Sequence, residues 1–490
     1  MTDIKIAVIG GGSVNWMPVL MRDLYQLEEA TGGEIRLCDP NQEHTRAVVA
    51  LLQRYNELRG KRYAISVHED RRRALAGADF VLTTFSPGAM DAFHNDLEIP
   101  IKYGVRQPVS MTVGPSGISA AIRTVPVAYA IVEEMEEVCP RAWLLNVTNP
   151  MTTVTRAMNM ASRGVPVIGM CHEFHEFSRY VGVILGLERP AGIGVMDYLY
   201  RWLAEQGLEY RVAGINHFIW LTEARLHGED VIPRIRQFAR DHWDLRPAAG
   251  NGEPPDAWAN YSAAKLALCR TFGYMPLAGD RHLIEFWPSL CNQANGFGMR
   301  YGVHKTTVDL RRHMKERQLA EIERVARGEQ AVHWQTSGEE MSAIIRSVLT
   351  GRPTTAIINA PNRGQIDNLP DEVVVETLAT VSSAAIEPMR CGPLPAAIAA
   401  LCRLHCAVQE LTVRAALAGD RDLLIEAFSL DPLCAAVDFA QIPRLVDDLL
   451  EANRPWLPRF FETRARRGGN GRATPVAHAE ELSAAVPGGH

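Results

Sequence analysis

Short apolar runs rich in Val, Ile and Leu alternate with stretches of helical period through residues 1–200. The runs fall at 4–9, 34–39, 64–67, 80–84, 143–147 and 165–169, with helical patterns at 16–29 and 43–59 between the first of them. Buried strands interleaved with helices predict a parallel, doubly wound sheet. The pattern then changes. Residues 210–221 and 354–359 read as strands, and 306–327, 338–350 and 393–418 as long helices. The expected fold is α/β, with an N-terminal Rossmann-type doubly wound domain (1–200) and an interleaved mixed α+β domain (201–460). The Gly/Pro-rich stretch 246–256 reads as a surface loop. Residues 461–490, rich in Arg, Gly and Ala, carry too few large apolar side chains to fold and read as a disordered tail.

Composition narrows the classes of function. The chain has 490 residues, 47% apolar and 22% charged, as a globular protein does. Its 51 basic and 57 acidic residues leave a net charge of −6, which argues against a nucleic-acid partner. No run of 18 apolar residues occurs, which argues against a membrane partner. The N-terminus lacks the basic-then-apolar layout of a signal peptide, and the nine cysteines form no C-x-x-C pair. A reduced, cytoplasmic protein is the expectation.

Candidate chemistry begins at Gly10-Gly11-Gly12-Ser13, between the first strand and the first helix. Glycines there let backbone N–H groups approach a pyrophosphate, although Asn15 replaces the usual third glycine. Asp39 ends the second strand, where an acid binds both adenosine ribose hydroxyls and favours NAD over NADP. Gly10, Gly11, Gly12, Ser13, Val14 and Asp39 are the expected cofactor loop. Ser86, Asn146 and Thr148, each after a later strand, complete it. A plain strand–helix turn without ligand is the competing reading.

Cys171 follows the strand at 165–169, and His217 closes the segment Gly214-Ile215-Asn216-His217. A thiolate and an imidazole suit a divalent cation whose shell a substrate completes. On spacing alone, a buried cysteine and a satisfied core histidine are the commoner outcome. Gly279-Asp280-Arg281-His282 offers a general base in Asp280 and anchors for substrate oxygen in Arg281 and His282, with Tyr274 a reserve base. An exposed Gly-Asp turn is the plainer alternative. His304 and Lys305 are further basic candidates, and Asn149 in Asn146-Val147-Thr148-Asn149-Pro150 is a candidate for a sugar hydroxyl.

These motifs, in this order, resemble glycoside hydrolase family 4, the NAD- and manganese-dependent glycosidases. The likeness covers residues 3–455 and includes Asp96 to Gly104, Cys171-His172-Glu173-Phe174 and Asn359-Ala360-Pro361-Asn362-Arg363-Gly364. It implies NAD and Mn²⁺ as cofactors, Cys171 and His217 as metal ligands, Asn149 as a substrate contact and Asp280 as the base. It also implies that His172 assists departure of the leaving group, and that the enzyme is a homodimer or homotetramer acting on a small carbohydrate. Cys171-His172-Glu173 is most similar to the α-galacturonidase subgroup. The chain departs from the family at Met111, where an acid is usual, and at Ser116, where a glycine is usual. That departure points to an unusual group at sugar C6, such as a sulfonate. The resemblance implies hydrolysis of α-glycosides of a uronic acid. The alternatives are a neutral α-glucoside or α-galactoside, a sulfonated glycoside, and a hydroxy-acid dehydrogenase of the lactate/malate type, which the first half also resembles.

Overall fold

The computed structural model describes residues 2–243 and 262–467. Thirteen strands form one continuous sheet: β1 (Thr2–Ile9), β2 (Ala30–Cys38), β3 (Arg62–Val67), β4 (Phe80–Thr83), β5 (Trp143–Asn146), β6 (Val167–Gly169), β7 (Leu208–Ile215), β8 (Phe218–Leu226), β9 (Glu229–Asp230), β10 (Met275–Pro276), β11 (Thr354–Pro361), β12 (Val374–Val381) and β13 (Ile386–Pro388). The order is β10-β8-β7-β12-β11-β6-β5-β4-β1-β2-β3, with β13 beside β12 and β9 beside β8. From β6 to β3 the neighbours are parallel, and from β11 to β10 they are antiparallel. The expected α/β architecture is therefore present, with the later chain added to the edge of the parallel sheet.

The centre of the parallel half, β4, β5 and β6 with the end of β1, is buried on both faces, so these strands read as unbroken apolar runs. All four residues of β4 and of β5 are buried. Helices Met17–Tyr25, Gln42–Arg59 and Met341–Thr350 cover one face through Leu20, Leu24, Leu52 and Ile344. Helices Gly114–Val138 and Met151–Ala161 cover the other through Ile131, Met135 and Met158. Helices Gly114–Val138 and Ala396–Ala418 are long and apolar enough to cross a membrane. They lie together in one buried core, through Ile118, Ile122, Ile398 and Val413.

The structure moves some boundaries. The first helix ends at Tyr25 instead of 29, and β2 starts at Ala30 instead of 34. Gly32 and Gly33 lie inside β2. Gly33 has φ +116, and a Cβ there would lie 2.1 Å from the Ile4 carbonyl oxygen. β1 and β2 pack too closely for any other residue. Residues 208–226 are two strands joined by Asn216-His217, and β12 is a strand the sequence pattern does not predict. At the C-terminus, helix Pro458–Arg467 continues into the stretch expected as tail. The remaining tail, 468–490, and the loop 246–256 lie outside the described residues.

One buried ion pair ties the N-terminal half to the last helices. Asp96 receives Nη1 and Nη2 of Arg123 at 3.0 and 2.5 Å and Nδ2 of Asn453 at 3.3 Å. Breaking such a pair strands a buried charge. Asp96→Ala is expected to cost about 3–5 kcal/mol of stability, read as a fall in Tm by calorimetry. An unchanged Tm would show that Arg123 finds other partners.

Candidate active site

The site forms where the carboxyl ends of β1, β4, β5 and β6 meet the β7–β8 turn. In open α/β sheets this edge is the usual place for ligands. Gly10 has φ +93 and packs on β4, so a Cβ there would lie 2.3 Å from the Thr84 carbonyl oxygen. Gly11 packs on Leu37, and Gly12 on Asp39 and Thr45. Asp39 accepts from Gly12 N at 3.0 Å and from Asn41 N at 2.8 Å. Each carboxylate oxygen keeps lone-pair capacity for a ribose hydroxyl. Ser13 Oγ accepts from Trp16 N at 3.3 Å and Val14 is buried, so both shape the turn. Ser86 lies exposed after β4. The cradle fits a dinucleotide.

Asn146 does not face an open site. It is fully buried: Oδ1 accepts from Thr83 Oγ1 at 2.8 Å and Thr148 N at 2.9 Å, and Nδ2 donates to Thr155 Oγ1 at 3.1 Å. Its observed role is to hold Thr148, whose Oγ1 accepts from Phe85 N at 3.3 Å. Asn149 is half-buried, with Oδ1 accepting from Met151 N at 3.2 Å.

Cys171 follows β6 and is buried beside Asn216. His217 occupies the β7–β8 turn at φ +62. A β-carbon disfavours that conformation, so packing holds the ring in place. Thr112 Oγ1 lies 2.7 Å from His217 Nδ1. That bond leaves Nε2 as the nitrogen available to a ligand. Glu376 is fully buried next to them and accepts from Asn359 Nδ2 at 3.0 Å and Asn216 Nδ2 at 3.3 Å. Burial pushes the Cys171 thiol up, helped by Glu376 and Glu173, and burial pushes His217 well down, helped by His282. A neutral imidazole beside a thiol that a cation would ionise is a fitting soft donor pair. Among the described residues, no group of three or more His, Cys, Asp and Glu forms a closed cage.

His282 stacks on His217 with ring centroids 3.9 Å apart, and its Nδ1 is buried without a hydrogen-bond partner. Glu173 lies 3.9 Å from His282 Nε2 and accepts from Gly279 N at 2.5 Å. His172 is half-exposed, with Nδ1 2.6 Å from Glu339 Oε1. Burial opposes its charge, but the Glu339 carboxylate prevails and holds it up at about 9. Its ring lies 6.2 Å from that of Trp16, which links the glycine loop to the Cys171 loop.

Asp280 is fully buried and accepts from Ala264 N at 2.8 Å and Lys265 N at 3.1 Å. Burial raises its carboxyl to about 6, against the pull of buried Lys265. Arg281 is buried with Nη2 on Thr306 Oγ1. Two expected residues are placed elsewhere. Tyr274 precedes β10, where Met275 pairs with Leu221, and packs against the apolar core that includes Phe218. That register sets it about five residues, roughly 15 Å, along β8 from His217. Lys305 is spent on Glu98 at 2.8 Å. Glu339, Lys265, Glu285 and Arg311 escaped sequence reasoning, which also gave Thr112 and Glu376 no role. Only Lys265 left a signal, as a charge in the apolar helix Ala263–Phe272.

A glycine loop, an acid on the neighbouring strand and a thiol–imidazole pair on one sheet edge define an α/β enzyme. Residues 5–187 match the model described as "Family 4 glycosyl hydrolase", and residues 212–434 match "Family 4 glycosyl hydrolase C-terminal domain". The chain belongs to the family 4 glycosyl hydrolases and is a glycoside hydrolase. An α-galacturonidase of Lachnoclostridium phytofermentans is 32% identical over 475 residues, covering 94% of this chain and 98% of that one. The crystal structure of a Bacillus subtilis protein solved under the provisional name glucosidase superposes with TM-score 0.81 at 30% identity, covering 92% of this chain and 100% of that one. A Thermotoga maritima 6-phospho-β-glucosidase, solved with manganese, NAD⁺ and glucose-6-phosphate, shares the fold at TM-score 0.72 and 21% identity, covering 92% of this chain and 99% of that one.

Thr112→Val removes the bond that orients His217 while keeping the side-chain shape. Divalent-cation affinity, measured by Mn²⁺ titration, is expected to weaken about 10–100-fold. Unaltered affinity would show that His217 is not oriented by Thr112.

Proposed function

We propose that the protein hydrolyses α-glycosides of a uronic acid, with galacturonic acid favoured, by oxidation at C3 and elimination across C1–C2. The observation that carries this reading is the link from Trp16 to His172. It joins a dinucleotide cradle to a thiol–imidazole pair in one site. The identity to an α-galacturonidase supports the choice of sugar. A sulfonated glycoside is the second reading, favoured by Met111 in place of an acid.

Gly10 to Val14 and Asp39 are the residues that hold NAD, with Ser86 and Thr148 at the nicotinamide end, and Cys171 and His217 hold Mn²⁺ or a similar cation. Bound, NAD would supply a reversible hydride acceptor, and the cation would supply charge that polarises sugar oxygens. The chain's own groups then move protons. With C3 at the ketone level the C2 proton is acidic, and Asp280 takes it. Its raised basicity suits a general base near neutral pH. His172, kept protonated by Glu339, gives a proton to the departing glycosidic oxygen. Asn149 and His282 orient ring hydroxyls, and Arg281 anchors a charged substituent. The C1–O bond breaks by elimination instead of direct displacement between two carboxylates; water then adds at C1, a proton returns to C2 and the C3 carbonyl is reduced back to the hydroxyl, so the net reaction is hydrolysis. All nine cysteines are free, which supports a reducing, cytoplasmic setting for Cys171. A homodimer or homotetramer is the assembly we favour, on the family resemblance.

Asp280→Asn is expected to lower kcat at least about 100-fold with little change in NAD affinity. For the wild type, activity should be full above pH 7 and fall as pH drops through about 6, where Asp280 gains its proton. A rate that stays flat to pH 4.5 would assign the base elsewhere. Cys171→Ser is expected to abolish Mn²⁺-dependent release of 4-nitrophenol from 4-nitrophenyl α-galacturonide while NAD binding persists. Full activity in that variant would remove Cys171 from the site.

A further inference from the structure

One short segment braces the His217 imidazole from two directions. Helix Asp280–Leu283 presents His282, whose ring stacks on that of His217 with centroids 3.9 Å apart. The turn Ile284–Phe286 follows and carries Glu285, which reaches the second support. Glu285 is fully buried, and its Oε1 accepts from Val109 N at 2.7 Å and from Ser110 N at 3.0 Å. Its Oε2 accepts from Gln107 Nε2 at 3.2 Å. The scheme above gives Glu285 no part. Yet the turn it clamps leads directly to Thr112, whose Oγ1 lies 2.7 Å from His217 Nδ1.

That turn needs an outside clamp to keep its shape. Ser110 is buried at φ +63, a left-handed conformation that a β-carbon disfavours. Such backbone persists only where its surroundings over-determine it. Two consecutive buried N–H groups also need acceptors, and one carboxylate oxygen of Glu285 meets both. The flanks are tied separately: Gln107 Nε2 donates to Val113 O at 2.8 Å, Gln107 Oε1 accepts from Ser116 N at 3.1 Å, and Thr306 N donates to Pro108 O at 2.9 Å. Glu285 therefore fixes the strained residue itself. A hydroxyl serves Nδ1 only when its backbone is in register. With the turn relaxed, Thr112 Oγ1 withdraws and either ring nitrogen of His217 can carry the proton.

We infer that Glu285 is a positioning residue for the cation site. It acts through the Val109 and Ser110 amides and then Thr112, keeping the proton of His217 on Nδ1 and presenting Nε2 to the cation. This rests on the assignment of Cys171 and His217 to a divalent cation and deepens it. The role demands reach and an acceptor oxygen, and it does not demand negative charge.

Two variants of the full-length protein separate reach from charge. Glu285→Asp keeps the charge and withdraws the carboxylate by one methylene. Glu285→Gln keeps the reach and an acceptor oxygen for both turn amides. Mn²⁺ affinity, titrated without substrate, is expected to weaken about 10–100-fold in Glu285→Asp and far less in Glu285→Gln. The Glu285→Asp loss should vanish in a Thr112→Val background, because an effect carried by Thr112 cannot be lost twice. NMR of metal-free protein labelled with ¹⁵N-histidine gives a readout that needs no cation. The Nδ1–H tautomer of His217 should dominate in the wild type and in Glu285→Gln, and lose its dominance in Glu285→Asp. A larger affinity loss in Glu285→Gln than in Glu285→Asp would make the charge the active feature and overturn the positioning role. Losses that simply add to those of Thr112→Val would make Glu285 structural and overturn it too. An unmoved tautomer in Glu285→Asp would overturn it whether or not Mn²⁺ binds. A wild type that binds no Mn²⁺, with the tautomer still shifted in Glu285→Asp, would support the positioning role and sink the cation assignment.

Discussion

One buried carboxylate holds the reactive edge together. Glu376, on β12, takes amide hydrogens from Asn359 on β11 and from Asn216 in the β7–β8 turn. The Asn216 amide and the carboxylate lie beside Cys171, which follows β6. Three strands distant in sequence are thereby fixed around one thiol. The strained His217 turn depends on the same clamp, because its neighbour Asn216 is one of the two donors. Burial and the carboxylate's own basicity are balanced there: Glu376 is raised to about 7 by burial, against the two amide donors. A positive ion at Cys171 and His217 would restore its charge, so metal binding and edge rigidity reinforce each other.

Around this clamp the electrostatics divide by side. Toward the glycine loop, acids serve as acceptors: Asp39 for Gly12 and Asn41, and Glu339 for His172. Toward helix Val308–Ala326, cations gather at Arg281, Arg311 and Lys315. The fold makes this possible by joining antiparallel strands to the edge of a parallel sheet. Residues after position 200 thereby complete a site begun by the first strand.

Much of this was legible in the sequence. β1, β4, β5 and β6 show as apolar runs because helices cover both their faces. The glycine loop and Asp39 are visible because only glycine fits against Thr84 and Leu37. What stayed hidden is what depends on packing between distant segments. Thr112, Glu339, Glu376 and Arg311 carry no local signature, and each meaning comes from a partner 100 residues or more away. Tyr274 was misplaced because sequence proximity to Asp280 says nothing about the direction of β10. An asparagine after a strand reads the same whether it faces a ligand or braces a loop, as Asn146 does.

The central claim is that the glycosidic bond breaks by elimination after proton loss at C2. The most direct measurement is the isotope content of the sugar product when hydrolysis runs in D₂O, read by NMR. Elimination predicts deuterium at C2 and protium retained at C3. A product with protium at C2 would contradict the account and return the chemistry to direct displacement at C1.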